Sequence, residues 1–381
     1  MSEWKEVTIS EIAFLKNGKK KPDTSGLIPV YGGNGIMDYV NIHNDENCIA
    51  IGRVGAYCGC VYLTKGKVWI SDNAISAKAN SNADNNYLYY LLDSLNLNRH
   101  RIGGAQPLMT QDLIGRIKVF LPPLSDQRRI SSILSSLDDK IAVNKKICEN
   151  LEAQAQALFK HWFVDFAPFK DGKFVESELG MIPEGWRVGT LGDYCKVKSG
   201  FAFKSSMWTN AGDLVIKIKN IQENGDLNLN DCSFVSHESA VNATDFKAKC
   251  GDLIIAMTGA TIGKFCIIPS IKENVYINQR VGKFFLGDNP IMKLPFIYCA
   301  LSLDSIKKKI ISSGIGSAQP NISGKDIESI SFVFNKDEID KFNSLCYSYF
   351  VNIIKLREEI SKLSTLRDTL LPKLMSGEIK I

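Results

Sequence analysis

The residue pattern most suggestive of chemistry is a glycine-containing loop, Gly259-Ala260-Thr261-Ile262-Gly263-Lys264. A phosphate-binding P-loop follows the pattern G-x-x-x-x-G-K-[ST], in which the last hydroxyl binds Mg²⁺. In this chain the spacing between the glycines is one residue too short, and Phe265 follows the lysine. The loop therefore does not predict nucleotide hydrolysis.

Other catalytic and metal-binding patterns are also missing from the sequence. It contains no Gly-x-Ser-x-Gly, His-Glu-x-x-His or Asp/Asn-Pro-Pro-aromatic motif. The four histidines are scattered and the ten cysteines include no Cys-x-x-Cys pair, so we expect no metal site and a reduced, cytoplasmic chain. No apolar run is long enough to predict a membrane span. We therefore predict a protein that is not an enzyme and that binds no cofactor itself.

Length and composition favour two folded domains. The chain has 381 residues, of which 45% are hydrophobic and 23% charged, as is usual for globular proteins. The net charge of +5 is spread almost evenly along the chain. Charge alone therefore permits a nucleic-acid-binding function but does not establish one.

An internal repeat is the most informative feature of the chain. Short segments of the first half return in the second half in the same order, while the offset between them grows. The matched pairs are Trp4–Glu11 and Trp186–Asp193, Lys16–Gly18 and Lys198–Gly200, Gly55–Gly59 and Gly259–Gly263, Ser71–Asn73 and Ile277–Gln279, and Ala105–Pro107 and Ala318–Pro320. We interpret the chain as a tandem duplication whose second copy has longer loops.

Each copy ends in a long amphipathic helix. Apolar residues recur at alternating spacings of three and four, which predicts a coiled-coil seam, and Ser125 is the predicted N-cap of the first helix. Asn144 inside the seam is either a tolerated defect or a residue that fixes the register. Because both apolar stripes need burial, we expect the helices to pack together in antiparallel orientation. The predicted seam consists of Leu134, Leu137, Ile141, Asn144, Leu151, Leu158, Ile353, Leu356, Ile360, Leu363 and Leu370.

These patterns predict an α+β fold, with two pseudo-repeated α/β globular domains separated by an antiparallel coiled coil of two long helices. Short β-like runs between Gly- and Asn-rich turns supply the strands, and the stretches 86–97 and 294–311 are predicted as equivalent helices. The predicted boundaries are 1–120 and 186–335 for the globular domains, 121–165 and 336–381 for the helices, and 166–185 for a linker.

The repeated glycine loops have two interpretations. Each is either a tight turn between strands that needs positive φ angles, or a place where the backbone lies close to DNA. In the second interpretation nearby side chains contact phosphates or base edges, because Arg pairs with guanine and Asn or Gln with adenine. The candidate DNA-binding residues are Arg53, Tyr57, Asn73, Gln106, Thr258, Thr261, Lys264, Gln279, Arg280 and Gln319.

Some of these candidates, and two runs of lysines, have a favoured structural interpretation. Gln106 and Gln319 are more typical of loop-bracing residues beside a binding face. Lys19–Lys21 and Lys307–Lys309 are favoured as solvated charge runs, with phosphate contact as the alternative.

Several segments resemble a known family. Leu121–Ile130 (LPPLSDQRRI), Leu137–Ile141 (LDDKI), Ala155–Phe166 (AQALFKHWFVDF) and Glu178–Trp186 (ELGMIPEGW) are similar to the central conserved region of the specificity subunits of type I restriction–modification systems. Leu370–Ile379 (LLPKLMSGEI) is similar to the second conserved region of that family. The resemblance covers essentially the whole chain and is weakest over residues 336–350.

The resemblance implies that the two globular domains are target-recognition domains, each reading one half of a split, asymmetric site in double-stranded DNA. It implies that the helices set the spacer between the half-sites and dock two methyltransferase subunits, which carry S-adenosylmethionine. Restriction subunits, which use ATP and Mg²⁺, complete the implied complex. The specificity subunit itself is implied to be non-catalytic.

Two other functions stay open. The chain is alternatively a non-catalytic coiled-coil scaffold whose globular domains bind protein, in which case any association with DNA has little salt dependence. A self-sufficient DNA methyltransferase or nuclease is disfavoured by the missing motifs.

Overall fold

The computed structural model describes residues 4–102, 107–314 and 320–380. The chain divides into two compact units. Unit 1 contains residues 1–141 and 362–381, and unit 2 contains residues 142–361. None of the helices in the described part of the chain is long and apolar enough to cross a membrane.

Unit 1 combines short strands with a few helices. Its strands are β1 (Lys5–Thr8), β2 (Ala13–Asn17), β3 (Ile28–Gly32), β4 (Gly35–Val40), β5 (Asp45–Glu46), β6 (Ile49–Gly52), β7 (Val61–Leu63), β8 (Lys67–Ile70), β9 (Ala74–Ala79) and β10 (Lys118–Leu121). Its helices are α1 (Ile9–Ile12), α2 (Asn85–Ser94), α3 (Gln111–Gly115) and the first part of α4 (Leu124–Phe163).

In the described part of unit 1, the strands form two four-stranded sheets and one two-stranded ladder. The first sheet has the order β2-β9-β6-β7 with antiparallel neighbours, and the second has the order β4-β3-β8-β5 with β3 parallel to β8. The ladder pairs β1 with β10. The central strand β6 has the sequence Ile-Ala-Ile-Gly, and all four residues are buried. Because both faces of the strand are buried, its sequence does not alternate between apolar and polar residues.

Unit 2 contains the remaining elements. Its strands are β11 (Phe174–Ser177), β12 (Gly180–Pro183), β13 (Arg187–Thr190), β14 (Lys196–Ser199), β15 (Trp208–Thr209), β16 (Asp213–Ile216), β17 (Ser233–Val235), β18 (Leu253–Ala256), β19 (Phe265–Ile267), β20 (Val275–Ile277), β21 (Val281–Phe285) and β22 (Ser331–Phe334). Its helices are α5 (Leu191–Tyr194), α6 (His237–Ala240), α7 (Leu294–Ser302), α8 (Asp304–Ser313), α9 (Gly324–Glu328) and most of α10 (Lys336–Met375).

Unit 2 repeats the first sheet and the ladder of unit 1, whereas its second sheet, with the order β15-β17-β16-β20, has different edge strands. Its first sheet has the order β14-β21-β18-β19, its second contains the parallel pair β16 and β20, and its ladder pairs β13 with β22. This agreement confirms the predicted α+β class and the tandem duplication. The helix predicted over 294–311 is instead two helices, α7 and α8, because the backbone is extended at Leu303.

The long helices also belong to the cores. In unit 1, Leu134 of α4 and Leu374 of α10 lie in one buried cluster with α2 residues such as Leu88. Arg367 of α10 donates to Asp138 Oδ1 at 2.7 Å, and the hydroxyl of Tyr90 in α2 donates to Asp138 Oδ2 at 2.6 Å. The helix pair is therefore fixed to the globular part of unit 1 by packing and by polar contacts.

In unit 2 the same two helices meet through different residues. Phe159 of α4 packs against Phe342 of α10, with ring centroids 5.6 Å apart. Further along α4 in the N-terminal direction, Glu152 accepts a hydrogen bond from Arg357 at 2.7 Å. Residues later in α10 thus contact residues earlier in α4. The two helices are therefore antiparallel, as predicted.

Every position of the predicted seam is buried or partly buried. Leu134, Ile141, Asn144 and Ile353 are buried. The remaining seam positions are partly buried: Leu137, Leu151, Leu158, Leu356, Ile360, Leu363 and Leu370. The amide oxygen and nitrogen of Asn144 have no hydrogen-bond partner among the described residues.

The start of the first helix differs from the prediction. Helix α4 begins at Leu124, and the carbonyl of Pro123 accepts hydrogen bonds from the amides of Asp126 and Gln127 at 2.9 and 3.0 Å. Ser125 therefore lies inside the first turn and is not the N-cap. The proline pair before the helix ends strand β10 and leaves Pro123 as the last residue outside the helix.

Candidate nucleic-acid interface

The first glycine loop of unit 1 is a tight turn between strands β6 and β7. Gly55 and Gly59 have φ angles of +73° and +90°, which side-chain-bearing residues rarely adopt. The amide of Gly59 donates to the carbonyl of Gly52 at 2.8 Å, and the amide of Gly52 donates to the carbonyl of Cys60 at the same distance. This loop therefore has the positive φ angles that the turn interpretation requires.

The second glycine loop, between β18 and β19 of unit 2, has the same backbone. Gly259 and Gly263 have φ angles of +68° and +86°. The amide of Gly263 donates to the carbonyl of Ala256 at 3.1 Å, and the amide of Ala256 donates to the carbonyl of Lys264 at 2.7 Å. Each unit therefore presents a turn of the same shape, with different side chains on it.

A second segment lies beside each turn. The amide of Arg53 donates to the carbonyl of Asn73 at 2.9 Å, and the amide of Met257 donates to the carbonyl of Arg280 at 3.0 Å. Asn73 and Arg280 therefore occupy the same backbone position in the two units. The sequence match that paired Asn73 with Gln279 was wrong by one residue.

A third segment completes each site. The amide of Gly55 donates to the carbonyl of Pro107 at 3.1 Å, and the amide of Gly259 donates to the carbonyl of Pro320 at 2.9 Å. The preceding glutamines, Gln106 and Gln319, lie outside the described residues.

The structure brings the unit 1 candidates together. Tyr57 is 48% exposed on the turn, and Asn73 is exposed beside it. The Arg53 guanidinium donates to the carbonyl of Asp72 at 3.4 Å, and its buried Nε has no partner among the described residues. A Cβ at Gly33 would lie in ordinary van der Waals contact with the carbonyl oxygen of Asn73 at 3.8 Å and with Cβ of Tyr57 at 3.9 Å, so Gly33 lies beside both residues.

In unit 2, three candidates line a polar cavity of about 460 Å³. They are Thr258, Gln279 and Arg280. The buried hydroxyl of Thr258 has no hydrogen-bond partner among the described residues. The other residues lining the cavity are Ser199, Met257, Pro320, Asn321, Ile322 and Ser323, of which the sequence predicted none.

The two remaining unit 2 candidates within the described residues, Thr261 and Lys264, do not line this cavity. The hydroxyl of Thr261 donates to the carbonyl of Thr258 at 3.0 Å and so stabilises the turn. Lys264 Nζ lies 2.8 Å from a carboxylate oxygen of Glu223. This lysine lowers the pKa of Glu223, mainly by donating a hydrogen bond to its carboxylate. Glu223 was not predicted, because it lies far from Lys264 in sequence and matches no motif.

The two lysine runs lie largely at the surface, which fits both solvated charge and phosphate contact. Lys19 and Lys20 are exposed, and Lys21 pairs with Asp38. Lys307–Lys309 are exposed on one stretch of α8.

The geometry of the turn gives a first testable prediction. Ala at position 59 or 55 would be strained by the positive φ angle, at roughly 1–2 kcal/mol each. A Cβ at Gly59 would also lie 2.4 Å from the amide nitrogen of Asn98, whereas a Cβ at Gly55 meets nothing within 4 Å. We expect Gly59→Ala to lower the free energy of unfolding clearly more than Gly55→Ala, as measured by urea denaturation. Equal losses would show that the close approach to Asn98 is not a constraint.

The two sites expose different polar groups at one equivalent backbone position, Asn73 in unit 1 and Arg280 in unit 2. Exposed amide and guanidinium groups on a fixed backbone are the groups that read base edges in the major groove.

Comparison with known proteins agrees with this layout. The sequence profile of the type I restriction modification DNA specificity domain matches residues 1–153 and 183–363. The MjaIX specificity subunit of Methanocaldococcus jannaschii is 31% identical over 309 residues, which are 77% of this chain and 69% of that protein. The MjaVIII specificity subunit of the same organism is 26% identical over 400 residues, covering 100% of this chain and 93% of the relative.

A solved structure shows the same fold. The S subunit of a type I restriction–modification system from M. genitalium aligns over 98% of this chain and 96% of its own, with a TM-score of 0.66 and 18% identity. At this identity the likeness concerns the fold alone. The family is shown by the profile and the relatives: the chain belongs to the specificity subunits of type I restriction–modification systems.

Proposed function

We propose that this chain reads a bipartite, asymmetric sequence in double-stranded DNA, one half with each unit, and that it catalyses nothing itself. The duplicated turn, with Asn73 and Arg280 at one equivalent backbone position, is the observation that carries the proposal. The same scaffold bears an amide in one unit and a guanidinium in the other. Because these groups prefer adenine and guanine respectively, the two halves of the target differ.

Two domains in one chain also explain how short half-sites give useful specificity. Each mismatched base pair costs about 1–3 kcal/mol, which is little for a site of a few base pairs. Once one unit is bound, binding of the second is intramolecular, so affinity and discrimination both increase.

The long helices are proposed to dock two methyltransferase subunits, which supply S-adenosylmethionine, and in the full complex restriction subunits supply the chemistry that uses ATP and Mg²⁺. Exposed apolar side chains on these helices support a protein-binding role, because isolated helix pairs normally turn polar residues outward. In unit 1 they are Ile133 and Leu366, and in unit 2 they are Val143, Ile147 and Leu345.

One observation favours the alternative that a globular part binds protein. The edge strand β4 exposes Ile36, Met37 and Tyr39, and exposed apolar edges are typical of protein-binding surfaces. A protein-binding scaffold predicts little salt dependence of any DNA association, whereas phosphate contacts make the affinity fall steeply with salt.

The test is methylation of a random-sequence library by the complex of this chain with its methyltransferase subunits, read by sequencing. We expect one split consensus with two different halves. Methylation without a split consensus, or a DNA affinity independent of salt, would contradict the proposal.

A further inference from the structure

We propose that Glu223 is an intramolecular competitor for DNA: its carboxylate occupies Lys264 in the free chain and is displaced by a backbone phosphate when unit 2 binds its half-site. The inference rests on the proposed function, since it assigns Lys264 a phosphate as its alternative partner. It makes Glu223 a residue that sets DNA affinity without contacting DNA.

The pair lies where such an exchange is possible. Lys264 is at the end of the turn Gly259–Gly263, the unit 2 counterpart of the turn that carries Tyr57. Its side chain is 28% exposed, that of Glu223 is 87% exposed, and their charged atoms lie 2.8 Å apart. A carboxylate held mostly in water can leave at little cost, because exposed ion pairs are weak. A phosphate oxygen takes the same kind of charge-assisted hydrogen bond from the lysine.

The segment that carries Glu223 is held in shape by its own hydrogen bonds. The amide of Gln222 donates to the carbonyl of Asp226 at 2.9 Å, and the amide of Gly225 donates to the carbonyl of Gln222 at 3.2 Å. Gly225 has a φ angle of +77°, which closes the turn. Asn224 Nδ2 donates to Asp226 Oδ2 at 2.7 Å. Glu223 is thus presented at the tip of a formed turn.

The turn is anchored to the long helices of unit 2. Arg357 of α10 donates to the carbonyl of Gly225 at 3.1 Å, and its Nε lies 3.8 Å from a carboxylate oxygen of Asp226. The same guanidinium donates to Glu152 of α4 at 2.7 Å. Arg357 is only 13% exposed at its side chain, so this anchor is well shielded from water. The turn is therefore positioned from the helices while its tip reaches the DNA-reading turn.

The consequence is a reduced affinity for DNA in the natural chain. Binding a phosphate at Lys264 first requires the Glu223 pair to break, and a carboxylate left beside the phosphate repels it. Removing the carboxylate charge removes both effects. From the usual strength of an exposed pair we expect a gain of about two- to fivefold in affinity.

The test compares four forms of the chain in complex with the methyltransferase subunits: the natural chain, Glu223→Gln, Lys264→Gln and the double variant. Binding to a labelled duplex carrying the selected target is measured by fluorescence anisotropy over a range of salt. Glu223→Gln is expected to bind about two- to fivefold more tightly. Lys264→Gln is expected to bind less tightly, with a salt slope reduced by about 0.9. The double variant should behave as Lys264→Gln.

Glu238→Gln is the matched control, because Glu238 is an exposed acidic residue of unit 2 on α6 and its replacement changes the net charge equally. The proposal is overturned if Glu238→Gln gains as much DNA affinity as Glu223→Gln. It is also overturned if the Glu223→Gln change raises the affinity as much in the Lys264→Gln variant as in the natural chain. A third outcome would also overturn it: Glu223→Gln leaves the DNA affinity unchanged while the complex still selects its split target. In that case the proposed function stands. Loss of target selection by the natural complex would instead contradict the proposed function.

Discussion

Replacing Arg280 with alanine is expected to relax the DNA target at one guanine of one half-site and to leave the other half-site unchanged. The guanidinium is exposed at the mouth of a polar cavity, and no hydrogen bond or ion pair engages it among the described residues. It is therefore free to make the bidentate contact that arginine forms with guanine. Its loss should cost about 1–3 kcal/mol of discrimination, which is roughly five- to 150-fold.

The measurement is library methylation, scored position by position across both half-sites. Arg280→Lys is the first control, because lysine keeps the charge but not the two-pronged geometry; it should retain affinity for unrelated DNA while losing the guanine preference. Asn73→Ala is the second control, because Asn73 holds the same backbone position in unit 1; it should relax only the opposite half. A change of both halves by either variant would contradict the assignment of one unit to each half.

The sequence was sufficient to predict the repeated architecture, because the responsible signals are local. Glycines at fixed spacing predicted turns, and positive φ angles at Gly55 and Gly259 confirmed them. Apolar residues at spacings of three and four predicted two antiparallel helices, and Phe159 on Phe342 is one of the contacts that joins them. Both signals persist in the two copies because few residue types fit a positive φ angle or a buried helix position.

The details of the sites could not be predicted in the same way. The match of Asn73 to Gln279 was off by one because the connections between the matched segments have different lengths, and only the strand register fixes Arg280 as the counterpart. Glu223 reaches Lys264 through the tertiary fold alone. Base readout could not be predicted from any single motif, because it depends on side chains from three separate segments that meet only in the folded chain.

Replacing Phe159 with alanine is expected to unfold or strongly destabilise unit 2, although the residue lies on the long helix α4. Phe159 is fully buried, and its ring centroid lies 5.0, 5.6 and 5.6 Å from those of Phe163, Phe296 and Phe342. Truncating a buried phenylalanine costs about 3–5 kcal/mol, a large share of the roughly 5–15 kcal/mol by which folded proteins are stable. Helix α4 is therefore part of the unit 2 core. Substitutions in it are expected to change the stability of unit 2 as well as the spacing between the two half-sites.

Urea denaturation followed by tryptophan fluorescence measures this effect, because Trp162 and Trp186 lie close to the same aromatic cluster. Phe14→Ala is the matched control: it removes the same side chain from a position that is 69% exposed in unit 1, so its cost should be small. In the library assay, Phe159→Ala should lose recognition of the half-site that Arg280 reads. Two results would contradict this: equal lowering of the unfolding midpoint by both variants, or full stability of Phe159→Ala with a change only in the tolerated spacer. Either result would show that the long helix is not a component of the unit 2 core.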